Sequence, residues 1–308
     1  MVLRMMTPLE LIDLAQVSKR TRNLVKFGAK EYKMKLCTDG TIWIRSGRKN
    51  FTVRIHKEVK KSPKRWYRCF NDEQVAVYKS NDCLDTFWQN TDHGMKQLAK
   101  YLRTVFDCTF YELSISLNEE QFQPFTQYFL GLQKSISELY IGYDALPNQH
   151  LVEFLDSMDV TEYLTLYTHF RDDFTYQFKK VPKLTHVGRW FNSDNLMSSS
   201  WTNLYVEASC ILTNQDLDFF VQKWKSGGFL NLKFAIIGSF RINTLTRIDG
   251  HTPPIRNRRK TTSDFKRLAT YAVDVNDGVE VVRMDGVKAT LSVLIDHPCS
   301  TFVFYVRK

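Results

Sequence analysis

Chemistry in this 308-residue chain would have to start from seven histidines, six cysteines and one adjacent acid pair. His56, His93, His150, His169, His186, His251 and His297 show no metal-ligand spacing, so no metal site is expected. Cys37, Cys69, Cys83, Cys108, Cys210 and Cys299 are scattered without a Cys-x-x-Cys pair, the pattern of reduced core thiols. Asp172-Asp173 could do acid–base work or hold a cation, but adjacent acids are common on solvated turns and that reading is preferred. Gly-x-x-x-x-Gly-Lys-Ser/Thr, Gly-x-Gly-x-x-Gly, His-Glu-x-x-His and Gly-x-Ser-x-Gly are all absent. No enzyme activity and no cofactor are expected.

Charge is the stronger signal. Residues 1–70 hold 18 Lys/Arg against 5 Asp/Glu, whereas the remainder holds 25 against 28, within a total of +10. A strongly basic end suits an acidic protein, a membrane surface or nucleic acid. Trp43, Phe51, Trp66 and Tyr67, interleaved with Lys and Arg over 45–68, raise the nucleic-acid alternative. Their alternation also suits the buried face of strands, and core is preferred. The basic run 256–260 after Pro253-Pro254 reads as a solvated loop, with nuclear import or phosphate binding as its alternative. Nucleic acid is therefore not the expected partner. No apolar run approaches the roughly 18 residues of a membrane span. A secretory signal is not visible either, so a cytoplasmic or nuclear location is expected and a membrane partner is not.

The elements that must position these residues follow from periodicity. Thr7 and Pro8 read as N-cap and first residue of a short helical unit, in which the segment from Ser18 starts a second turn of helix that ends at Phe27-Gly28. Residues 34–37, 39–45, 51–56 and 74–78 alternate as antiparallel strands, with Asp39-Gly40 as a hairpin turn. A helix is expected over 93–106, then strands over 111–117, 137–142, 161–167, 184–187, 202–206 and 230–237, with helices over 122–132, 150–158 and 215–225 between them. Leu113, Leu139 and Leu164 recur at 26 and 25 residues, as in an irregular leucine-rich-like β–α stack. An ordinary α/β domain with accidental spacing is the alternative. Strands over 271–275, 279–284, 289–295 and 301–306 form a closing β-meander.

One unit is unusually complete. Leu217, Phe220, Val221 and Trp224 make a stripe at i, i+3, i+4 and i+7, with Thr213 or Asn214 capping the start. Gly227 or Gly228 supplies the left-handed residue that stops the helix.

Three stretches resemble a known family. Thr7-Pro-Leu-Glu-Leu-Ile-Asp-Leu-Ala-Gln-Val-Ser-Lys-Arg-Thr-Arg-Asn-Leu-Val-Lys is similar to the second half of an F-box. The opening helix of that motif has no counterpart in residues 1–6, so the motif is expected to be short on its N-terminal side. Leu212-Thr-Asn-Gln-Asp-Leu-Asp-Phe-Phe-Val-Gln-Lys-Trp-Lys-Ser-Gly-Gly, preceded by Trp201-Thr-Asn-Leu and followed by Leu230-Asn-Leu-Lys, resembles the type 2 F-box-associated domain. Arg283-Met-Asp-Gly-Val-Lys-Ala-Thr-Leu resembles the ending of the same proteins.

The resemblance implies a substrate-recognition subunit of an SCF-type E3 ubiquitin ligase. Pro8, Leu9, Leu11, Ile12, Leu14, Val17, Lys19 and Arg20 would contact a Skp-family adaptor, and through it a cullin. A β–α stack would hold an unidentified protein target. The expected fold is α/β (α+β). It comprises a partial F-box over 1–28, a β-rich linking segment over 29–90, a stack over 91–250 with the F-box-associated domain from about 186 to 250, and a meander over 251–308.

Overall fold

The computed structural model describes residues 2–28, 32–58, 66–142, 148–167, 176–198, 200–257, 264–268, 271–296 and 298–307. The chain is of the α/β class and divides into two units, Met1–Glu138 and Leu139–Lys308.

The first unit opens with a 3-10 turn, Val2–Met5, and two short helices, α1 (Pro8–Val17) and α2 (Lys19–Gly28). Thr7 and Glu10 form a capping box, the hydroxyl accepting from the Glu10 N–H and the carboxylate from the Thr7 N–H. Strands β1 (Lys33–Cys37), β2 (Thr41–Ser46), β3 (Lys49–Lys57), β4 (Trp66–Phe70), β5 (Glu73–Lys79) and β6 (Cys83–Trp88) follow. Helix α3 (Thr91–Phe106), strand β7 (Phe110–Ile115) and helix α4 (Glu119–Leu132) complete the unit, and β8 (Ser135–Ile141) spans the division. The expected turn at Asp39-Gly40 is present: Gly40 has φ +89°, a conformation an L side chain rarely adopts.

Strand order in this unit is β7-β1-β2-β3-β6-β5-β4. The β1–β7 and β3–β6 pairs are parallel and the rest antiparallel. The 29–90 segment is therefore no linker: β1 shares a ladder with β7, and the same sheet continues outward through β2 and β3. Two strands, β4 and β6, escaped the periodicity reading, since Cys-Leu-Asp-Thr-Phe-Trp carries a buried threonine among its inward residues. One face of the sheet carries Ile42, Ile44, Val53, Ile55, Val75, Val77 and Leu84, all buried, and α3 packs on β3, β4 and β6. Phe70 stands edge-on to Tyr101 of α3 at 5.1 Å.

The second unit contains α5 (Asn148–Ser157), β9 (Asp159–Leu166), β10 (Leu184–Val187), α6 (Ser193–Ser198), β11 (Asn203–Cys210), α7 (Asn214–Lys225) and β12 (Phe234–Ser239). A hairpin, β13 (Phe265–Leu268) and β14 (Tyr271–Asp274), precedes β15 (Val279–Val282), β16 (Lys288–Leu294) and β17 (Ser300–Val306). Strands β9, β10, β11 and β12 are parallel neighbours, and β17, β16 and β15 continue antiparallel from β12. The closing meander is thus an extension of the stack's own sheet. Register brings Leu164, Thr185, Leu204, Ala235, Phe304 and Leu291 into one buried row across six strands.

Helix α7 forms as its sequence dictates. Thr213 and Asp216 make a capping box, worth about 1 kcal/mol. Leu217, Phe220, Val221 and Trp224 are all fully buried, with Trp224 edge-on to Phe304 at 5.0 Å and Phe220 to Phe302 at 6.1 Å. Gly227, at φ +92°, ends the helix by donating to the Trp224 carbonyl, and Gly228 donates to that of Lys223.

Candidate functional site

The N-terminal helix pair is built into the first unit. Pro8, Leu9, Leu11 and Ile12 are buried in the chain's own core. They have no surface to offer an adaptor, which corrects the expected contact set; an apolar helix face buries itself wherever the rest of the fold can cover it. Leu14 is half-buried, and Val17, Lys19 and Arg20 are exposed.

Polar contacts fasten the same helices. Arg68 and Lys79 both reach the Asp13 carboxylate, with Lys79 at 2.6 Å. Burial lowers both cations' pKa values, and the neighbouring Arg68 adds to the effect on Lys79. The Gln16 side chain accepts from the Cys69 N–H of β4, occupying part of that edge strand. Arg22 lies over the Tyr101 ring, 5.9 Å from its centroid.

What this packing leaves outside is a different surface from the one expected. Val17 is 73% exposed, Leu24 45% and Phe27 62%, while Val25 on the opposite side of α2 is fully buried. Arg20, Leu24 and Phe27 stand at i, i+4 and i+7, one stripe of α2, with Lys19 at its start. That spacing is readable in the sequence.

The open face of the first sheet overturns a second expectation. Trp43, Trp66 and Tyr67 are exposed rather than core, and only Phe51 is buried as expected. Ile42 and Ile44 flank Trp43 and point to the helices, so strict alternation turns Trp43 outward. Tyr67 pairs with Ala76, two residues before Tyr78 on the same strand face, and Tyr78 pairs with Asp85. Trp66 pairs with Val77 on the helix side, yet it begins its strand and is 75% exposed. Lys33, Arg45 and Arg54 are exposed on the same face as Trp43. Lys33 sits 5.6 Å from the Tyr111 ring centroid, and Lys35 pairs with Glu112 at 2.5 Å. Asp85 takes His56 at 2.8 Å and Arg54 at 3.9 Å.

Among the described residues singled out for chemistry, His56 and Cys83 both reach the Asp85 carboxylate, at 2.8 and 3.7 Å. Asp172-Asp173 and His169 lie outside the described residues, as do 258–260 of the basic run, whereas Arg256 pairs with Asp277 at 2.6 Å. Burial pushes the Cys37 and Cys108 thiols up to about 11, keeping both protonated at neutral pH. His186 packs between Tyr167 and Tyr205, at 4.6 and 4.2 Å between ring centroids. Among the described residues no group of three or more His, Cys, Asp or Glu could hold a metal ion. A cleft of about 500 Å³ is lined by Lys100, Arg103, Asp107 and Cys108, where Arg103 donates to the Leu132 carbonyl. No helix among the described residues is long and apolar enough to cross a membrane.

No family model, curated protein or solved structure matches the chain.

Proposed function

We propose that this chain is a substrate-recognition subunit of an SCF-type E3 ubiquitin ligase. It would bind a Skp-family adaptor through the outer surface of α1 and α2, and a cullin only through that adaptor. Its β–α stack would hold a target protein, with ubiquitin transfer carried out by other subunits, in the cytoplasm or nucleus.

The observation that carries this reading is the outer stripe of the helix pair. Val17 at the end of α1 and Leu24 and Phe27 on α2 are exposed apolar side chains in a stretch that also exposes Lys19 and Arg20. Such a stripe on a short helix suits an apolar groove with an acidic rim. A second observation supports it from the other resembling segments. Trp224, from the 212–228 stretch, lies under the Arg283 guanidinium at 5.3 Å, and the Met284 N–H donates to the Lys225 carbonyl at 2.9 Å. Two sequence blocks far apart in the chain thus form one packed unit around the end of α7, as parts of a single domain would.

Co-purification with a Skp-family adaptor tests the reading. The full chain should recover adaptor, and Leu24→Glu with Phe27→Glu should reduce recovery at least tenfold, since both positions are exposed and tolerate polarity. Equal recovery by the double variant and the parent chain would sink this docking surface.

A further inference from the structure

We propose that the open face of the first unit's sheet binds single-stranded nucleic acid. The proposal stands on the geometry of β1, β2, β3, β6, β5 and β4 and is independent of adaptor binding. Register alone places the participating side chains on one face. Lys35 opposes Trp43 and Lys33 opposes Arg45 across β1–β2, Thr41 opposes Arg54 across β2–β3, and Tyr67 lies beside Tyr78 across β4–β5. The opposite face is closed by buried aliphatics and α3. The open one keeps Trp43, Tyr67 and Tyr78 exposed.

The combination selects the ligand. An acidic protein segment would need only the cations, leaving three large rings in water without a purpose. Unpaired bases stack on such rings whatever their identity, while Lys and Arg between the rings meet the phosphates. A flat sheet has no protruding helix for a duplex groove, which favours single strands over double. The acids on this face do not cancel the field: Asp85 meets His56 and Arg54, Glu112 pairs with Lys35, and Lys33 and Arg45 are exposed cations without a carboxylate partner among the described residues.

Fluorescence anisotropy with the full chain and labelled oligo-uridylate and oligo-thymidylate of about 12 nucleotides tests this, and comparing the two sugars separates RNA from DNA. Binding at about 50 mM salt should weaken with a log–log slope of about −1.5 to −2, as about two or three cations releasing counterions from a single strand require. Trp43→Ala should weaken binding about tenfold, and Tyr78→Ala, on another strand, should weaken it similarly. Lys179→Ala with Lys180→Ala, in the other unit, should change nothing. The proposal is overturned by absence of binding to either oligomer. It is equally overturned if both ring variants bind like the parent, or if polyglutamate of matched charge competes as well as the oligonucleotide, which would make this an acidic-protein surface.

Discussion

At the scale of single residues, His186 shows how burial replaces chemistry. The ring is enclosed by Tyr167 and Tyr205, the Tyr167 hydroxyl lies 2.7 Å from Nε2, and burial pushes the imidazole pKa down to about 4. Unfolded, the same ring protonates near pH 6.5. Between those values the unfolded chain binds a proton that the folded chain refuses, so this residue's contribution to stability is intact above about pH 6.5 and declines toward pH 4. Comparing urea midpoints of the parent and His186→Gln isolates it from the carboxylates common to both. From pH 7 to pH 5 the parent should lose about 2 kcal/mol more than the variant. Parallel pH profiles would mean that the ring is protonated in the fold. No catalytic role is needed to explain a histidine held this way.

At the scale of elements, the first helix carries the sharpest lesson. The apolar residues of α1 would serve an external partner or an internal core equally well. The choice is made by Arg68 and Lys79, which reach Asp13 from strands more than fifty residues away, and by the burial of Leu9, Leu11 and Ile12. The two roles separate by mutation. Leu11→Ala should cost about 2–5 kcal/mol and lower the melting temperature, as for any cavity in a packed core. Val17→Ala, seven-tenths exposed, should stay within about 0.5 kcal/mol of the parent. Thermal melts of equal depth for both would contradict the packing. Helix α7 is the contrasting case: cap, stripe and glycine stop agree with one another, and the structure follows each.

At the scale of the whole molecule, charge asymmetry is the dominant property. The first seventy residues carry most of the excess positive charge, and described cations from that stretch stand on the open sheet face and on α2. If the adaptor meets Lys19 and Arg20 through an acidic rim, long-range attraction should act mainly on encounter. Raising salt from about 50 to about 300 mM should therefore slow adaptor association severalfold and leave dissociation nearly unchanged, as read by stopped flow or surface plasmon resonance. A salt-insensitive association rate would remove the electrostatic part of the proposal.

Much of the architecture was legible without coordinates. Local signals sufficed wherever backbone geometry depends on near neighbours: the Thr7 cap, the Asp39-Gly40 turn, the α7 stripe, and the alternating helices and strands that define an α/β class. Resemblance to F-box proteins likewise came from contiguous residues, and its functional meaning remains the proposal stated above. Tertiary structure decided what depends on distant partners. It made β1 the neighbour of β7 and set β17 against β12, so that neither the 29–90 segment nor the meander stands apart. It buried the α1 leucines and exposed Trp43, Tyr67 and Tyr78. An apolar side chain's type fixes how strongly it avoids water, but only the assembled sheet and helices determine which of its faces water can still reach.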